Sequence, residues 1–130
     1  MRTKVLAAAL ALFPAAAAAE NWRASSGDAE ARAYIDTDSI RRDGQRVSFW
    51  RELRWPEVRT LRDGTRYNRL GSLYEADCAA MTLRSLTVRA NLDENVVLSG
   101  EGSRELEQAR PGTTAEIDLR SVCFGQWPPR

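Results

Sequence analysis

The sequence has no histidine and only one lysine, Lys4, so its chemistry is narrow before any motif is sought. Without histidine there is no Ser/His or Cys/His nucleophile pair, no imidazole general base and no imidazole metal ligand. Cysteine is scarce too: Cys78 and Cys123 are the whole supply, too few to hold a metal without histidine. Charge of one sign is also lacking. Lys+Arg number 19 against Asp+Glu 18, a net +1 that leaves no basic footprint for nucleic acid. The longest apolar stretch, Val5 to Ala19, is 15 residues, short of the roughly 20 that span a bilayer as a helix. What is left is a 130-residue chain with 43% hydrophobic residues, one domain's worth of globular sequence.

The N-terminus carries an export signal. Met1-Arg2-Thr3-Lys4 is a basic opening, Val5 to Phe13 an apolar run, and Ala17-Ala18-Ala19 before Glu20 a small-residue cleavage pattern. Residues 1–19 are expected to be a signal peptide and residues 20–130 a single mature domain, periplasmic or secreted, with no stable membrane anchor. No cysteine follows the alanines, so the lipid-attachment site of a bacterial lipoprotein is missing. Removing Arg2 and Lys4 takes the balance to 17 − 18 = −1 and leaves arginine as the only cationic side chain. Each cation is then a planar fork suited to carboxylates and aromatic faces, and no side-chain amine remains for Schiff-base chemistry.

In an oxidising compartment two cysteines most simply form one disulfide, Cys78 to Cys123. A redox-active pair would call for C-x-x-C spacing, which is missing. Between and before the cysteines the pattern is that of strands. Trp22 to Ser25 and Ala33 to Asp38 flank the turn-rich Ser26-Gly27-Asp28. After Asp43-Gly44, residues Val47, Phe49, Leu53 and Trp55 share one face, with Ser48, Glu52 and Arg54 opposite, in a strand ending near Pro56. From Tyr67 the alternation groups Leu70, Ser72, Tyr74, Ala76 and Cys78. Leu86, Val88, Ala90 and Leu92 form another strand, out of phase with Met81 and Leu83, so a bulge is expected near Arg84-Ser85. Val96 to Ser99 makes the last strand. Then Thr113-Thr114-Ala115-Glu116 is a capping box, and Ala115, Leu119, Val122 and Cys123 make one helical stripe that stops at Gly125. The fold expected is α+β: an antiparallel meander of about five to six strands with a C-terminal helix packed on it and disulfide-linked to it.

Several of these residues also occur together in a known order. Trp22, Tyr34-Ile35-Asp36 with Ser39-Ile40, the strand through Val47 and Trp50, Tyr74-Glu75-Ala76-Asp77-Cys78, Pro111-Gly112-Thr113 and Val122-Cys123 resemble the surface-adhesin protein E family of small secreted bacterial domains. The resemblance runs from Trp22 to about Cys123. It implies an antiparallel sheet with a disulfide-bonded C-terminal helix, no catalytic activity, and binding of host extracellular-matrix and plasma proteins. The missing lipidation cysteine departs from what an outer-membrane adhesin needs.

Three sharper readings compete with plain architecture. Asp36-Thr37-Asp38 suggests a calcium loop, but Ile40 and Arg41 stand where an oxygen ligand and a glycine belong, so Asp36 capping a turn, with Tyr34-Ile35 inward, is expected. The stretch Arg46 to Arg69 holds seven arginines against Glu52, Glu57 and Asp63. Arginines lying over Trp50 or Trp55 on a solvated face are expected there, with a glycan or acidic-polymer surface as the alternative. Glu75 and Asp77 are candidates for a histidine-independent hydrolase of carbohydrate or cell-wall polymer, on an exposed face without a nucleophile–base signature. The expectation is a non-catalytic envelope module binding host or envelope proteins, with no catalytic, cofactor or metal residues; the alternatives are that hydrolase or a structural envelope component without a soluble ligand.

Overall fold

The computed structural model describes residues 20–27 and 30–130. The expected signal peptide, residues 1–19, lies outside the described residues, as does Asp28 of the first turn.

Among the described residues the strands are β1 (Trp22–Gly27), β2 (Arg32–Asp36), β3 (Arg41–Asp43), β4 (Arg46–Thr60), β5 (Arg66–Asp77), β6 (Thr82–Leu92), β7 (Asn95–Glu101) and β8 (Glu107–Gln108), followed by the helix α1 (Thr114–Phe124). They pair in the order β1-β2-β4-β5-β6-β7, every pair antiparallel, with β3 on β4 and β8 on β6. This is the expected meander, with two extra short strands that its alternation did not announce. A 3-10 turn, Thr37–Ser39, interrupts what would be one strand from β2 to β3.

The period-2 pattern of β4 sets the architecture. Val47 and Phe49 turn to one side, opposite Ala76 and Tyr74 of β5, and the Phe49 and Tyr74 rings stack at 5.8 Å. On that side Ile35, Val47, Phe49, Ala76 and Leu83 meet Ala115, Leu119 and Val122 of α1 in one core. Fully burying side chains such as Phe49, Ile35 and Leu119 contributes roughly 1.5–3 kcal/mol each.

Three expectations need correction and one, the bulge, is met. Strand β4 does not end near Pro56 but runs through it to Thr60. The proline sits in a register shift between Arg54 and Arg59, where no ladder N–H is needed. Tyr34 faces away from the core, because it lies opposite Glu52, whereas Ile35 points inward. The bulge expected near Arg84-Ser85 is present, at the adjoining Leu86, since Leu73 pairs Thr87 and Tyr74 pairs Ser85. That one-residue slip puts Leu83 and Ala90 on the same face despite their opposite phase. Cys78 lies just beyond β5, although its N–H still donates to the Gln45 carbonyl at 2.8 Å.

The helix begins and stops at the residues its sequence marks. Thr113 accepts from the Glu116 N–H at 3.3 Å, and Glu116 reaches back to the Gly112 N–H at 3.0 Å, one residue before the usual capping-box target. Gly125 ends it in the left-handed region, φ 69°. Cys123 bonds Cys78, Cα to Cα 5.7 Å, and the Arg42 guanidinium donates to the Cys123 carbonyl at 3.1 Å. A second clamp was not expected. Asp118, in the middle of α1 and 2% exposed, lies 2.5 Å from Arg51 Nε of β4 and accepts from the Ser25 and Ser26 hydroxyls of β1.

Candidate functional site

Residues that alternate with the core positions face the side of the sheet away from α1. The register lines them up in rows. One row runs Tyr34, Glu52, Gly71, Arg89, Ser99 across five strands. The next runs Arg32, Arg54, Arg69, Asn91, Val96. Glycine in the interior of a central strand gives up packing and marks a close approach. At Gly71 the approach is that of Arg89: a Cβ there would stand 3.4 Å from Arg89 Nε. Arg89 crosses the bare backbone and places its guanidinium 4.1 Å from the Trp50 ring centre.

Glu52 is 3% exposed, unusual for a carboxylate away from the main core. Arg54 Nε donates to its Oε1 at 2.7 Å, and Arg69 lies 3.9 Å from the same oxygen. The Arg54 guanidinium is also held between rings, 4.3 Å from Tyr34 and 5.3 Å from Trp22. Trp22 Nε1 donates to Glu20 at 3.1 Å, and Glu20 lies 3.9 Å from Arg89. These groups bound a cleft of about 600 Å³, lined by Glu20, Trp22, Glu52, Arg54, Arg69, Arg89, Asn91, Glu94 and Val96. Seven of those nine are polar or charged, and the three guanidinium groups balance three carboxylates. Among the described residues, Arg89 Nε and Asn91 Oδ1 are buried without a hydrogen-bond partner.

The arginine-rich stretch of the sequence is thus divided. Arg51 goes to the helix side and Asp118. Arg54 and Arg69 enter the cleft, while Arg59 stacks over Trp55 at 4.8 Å. The expected cover of Trp50 comes from Arg89, outside the stretch. Arg89, Asn91, Trp22 and Glu20 had no signal of their own, because only strand register brings them together; Gly71, alone inside a strand, was the available clue.

The other candidates are occupied locally. Glu75 accepts from Arg84 at 2.8 and 3.1 Å. Asp77 accepts the Ala79 and Ala80 N–H groups at 2.9 and 3.0 Å, and the Ala80 and then Ala79 bonds hold its carboxyl below the ordinary value. A glycosidase acid needs the opposite shift. Asp36 caps the turn, accepting from the Asp38 and Asn21 N–H groups at 3.0 Å each. Two carboxylates of that motif are therefore split between turn and solvent, and no trio of acidic or cysteine ligands lies together among the described residues.

Against known proteins, the family model described as surface-adhesin protein E matches residues 22–124. Among solved structures, crystal form II of protein E from Haemophilus influenzae is similar, with TM-score 0.60 and 15% identity, over 84% of this chain and 100% of that one. At that identity the likeness is one of fold. No curated protein matches the chain.

Proposed function

Because this chain belongs to the surface-adhesin protein E family, we propose that it is a non-catalytic binding domain of the bacterial envelope, taking its partner on the sheet face that α1 leaves open. The observation that supports this reading most is the state of that face. Its arginines are already oriented by rings and carboxylates, with Arg54 held between Tyr34 and Trp22 and Arg89 held on Trp50. A surface ordered in advance loses little side-chain entropy on binding. The partners proposed are host or envelope proteins and their attached groups, not nucleic acid, given the near-neutral charge.

The same reading includes export: cleavage after Ala19, a mature domain of residues 20–130, and a periplasmic or secreted location. Among the described residues no helix is long and apolar enough to cross a membrane. Two measurements test the proposal. Mass spectrometry of the exported protein is expected to give Glu20 as the first residue; retention of residues 1–19 overturns the export part. Surface plasmon resonance against matrix proteins and purified envelope fractions is expected to give saturable binding. That binding is expected to be lost in Arg69→Glu and kept in Arg120→Ala on the exposed side of α1. Binding that Arg69→Glu leaves intact, or no saturable binding, overturns the docking face.

A further inference from the structure

We infer that the cleft on the open face is a saccharide site, and that its ligand is a neutral, polyhydroxylated sugar unit of a glycan chain. The inference rests on the open face being the docking face and adds the chemistry of what docks.

The charges around the cleft cancel. Arg54, Arg69 and Arg89 are matched one for one by Glu20, Glu52 and Glu94 around the cleft. A site built for an anion focuses net positive potential on it, and this one does not. Its planar donors and acceptors are interleaved instead.

The cleft also holds unmet hydrogen-bonding groups. Asn91 is 7% exposed and lines the cleft, yet among the described residues its Oδ1 finds no hydrogen-bond donor, and Arg89 Nε, in the next row across the sheet, finds no acceptor. Buried polar groups are nearly always paired, so each orphan calls for a partner. One is an acceptor and the other a donor. A hydroxyl serves both, because it donates one hydrogen and offers two lone pairs. A carboxylate or sulfate serves only the donor.

Shape and lining complete the case. The cleft, about 600 Å³, lies within the roughly 300–1,000 Å³ range of small-ligand sites. Such sites are usually apolar, whereas here Trp22 and Val96 are the apolar residues of the lining. A mostly polar wall with one indole suits a ligand that is polar at its edges and carries C–H groups on one face.

The test applies the oxidised exported protein to an array of immobilised neutral, carboxylated and sulfated oligosaccharides. Calorimetry with the bound probes follows. Binding to neutral probes is expected, with affinity nearly unchanged between about 0.15 and 0.5 M salt, as for contacts that do not depend on net charge. Asn91→Ala is expected to weaken it about tenfold, roughly one buried hydrogen bond. Trp22 fluorescence should change on binding. Because Asn91 is buried, an unfolded variant is excluded by circular dichroism, and Arg69→Ala, on a partly exposed side chain, gives an independent reading. Recognition of sulfated or carboxylated probes alone, lost at high salt, overturns the inference. So does the absence of neutral binding, or binding that folded variants leave untouched. A protein that binds matrix proteins but no saccharide overturns this inference and leaves the docking face standing; loss of both removes the face as well.

Discussion

Arg51 and Glu52 are chain neighbours in β4, face opposite sides of the sheet, and each makes a close ion pair, yet the two pairs do different work. Arg51 meets Asp118, from the far end of the chain, and with Ser25 and Ser26 ties α1 to β4 and β1. Glu52 meets Arg54, two residues on in the same strand. The first pair joins three elements and closes a face. The second is made within one strand, with only the longer 3.9 Å approach of Arg69 from β5, and leaves its face open, with arginines positioned beside a cleft. The lesson is that burial of a charge does not reveal its role; the sequence distance to its partner does.

That contrast can be broken. Asp118→Ala leaves Arg51 buried without its carboxylate and is expected to cost about 3–5 kcal/mol, read as a drop in the urea midpoint. Replacing both members, with Asp118→Leu and Arg51→Met, is expected to recover most of the loss, since apolar pairs of similar volume often substitute for buried ion pairs. Cys78→Ser with Cys123→Ser removes the covalent half of the same closure. For a sequence separation of 45 the chain-entropy model gives about 4 kcal/mol, and thermal melting in oxidising buffer checks it. Glu52→Ala is expected to cost only about 1–2 kcal/mol, because Arg54 and Arg69 are partly solvated and can turn to water. If it matched Asp118→Ala, the distinction between the faces would fall.

The smallest effect is a pH dependence at the sheet's end. Asp77 is held below its ordinary value of 3.8 by the N–H groups of Ala80 and Ala79. A depressed carboxyl pKa contributes stability that is present above the unfolded value and lost as pH falls through the folded one. Asp77→Asn is therefore expected to show a shallower loss of melting temperature than the parent on acidification below about pH 4. An identical slope would mean that these turn bonds are equally strong to the neutral acid.

Strong local periodicity made much of the fold legible. Val47, Phe49, Leu53 and Trp55 declared both the strand and its face, and Thr113, Glu116 and Gly125 bracketed the helix. Family membership and the Cys78–Cys123 bond were legible for similar reasons, since each rests on a few ordered residues. Asp118 was not, because a helical stripe read from apolar residues passes over a buried aspartate among Ala115, Leu119 and Val122. The cleft was hidden more deeply. Arg89 meets Trp50, and Asn91 faces Arg69, only after a one-residue slip at Leu86 sets the register. Pro56 misled for the opposite reason: a proline is a strand breaker until a bulge removes the need for its N–H.

The covalent link has one more consequence, a mechanical one. Cys78 and Cys123 close a ring that contains β6, β7 and β8. When a bound domain is pulled at its two ends, tension crosses the sulfur bridge and bypasses the ring. Those 45 chain steps, about 150 Å of extended contour, cannot lengthen. In the oxidised protein the maximum stretch under load is set by the segments outside the ring, whatever becomes of the sheet.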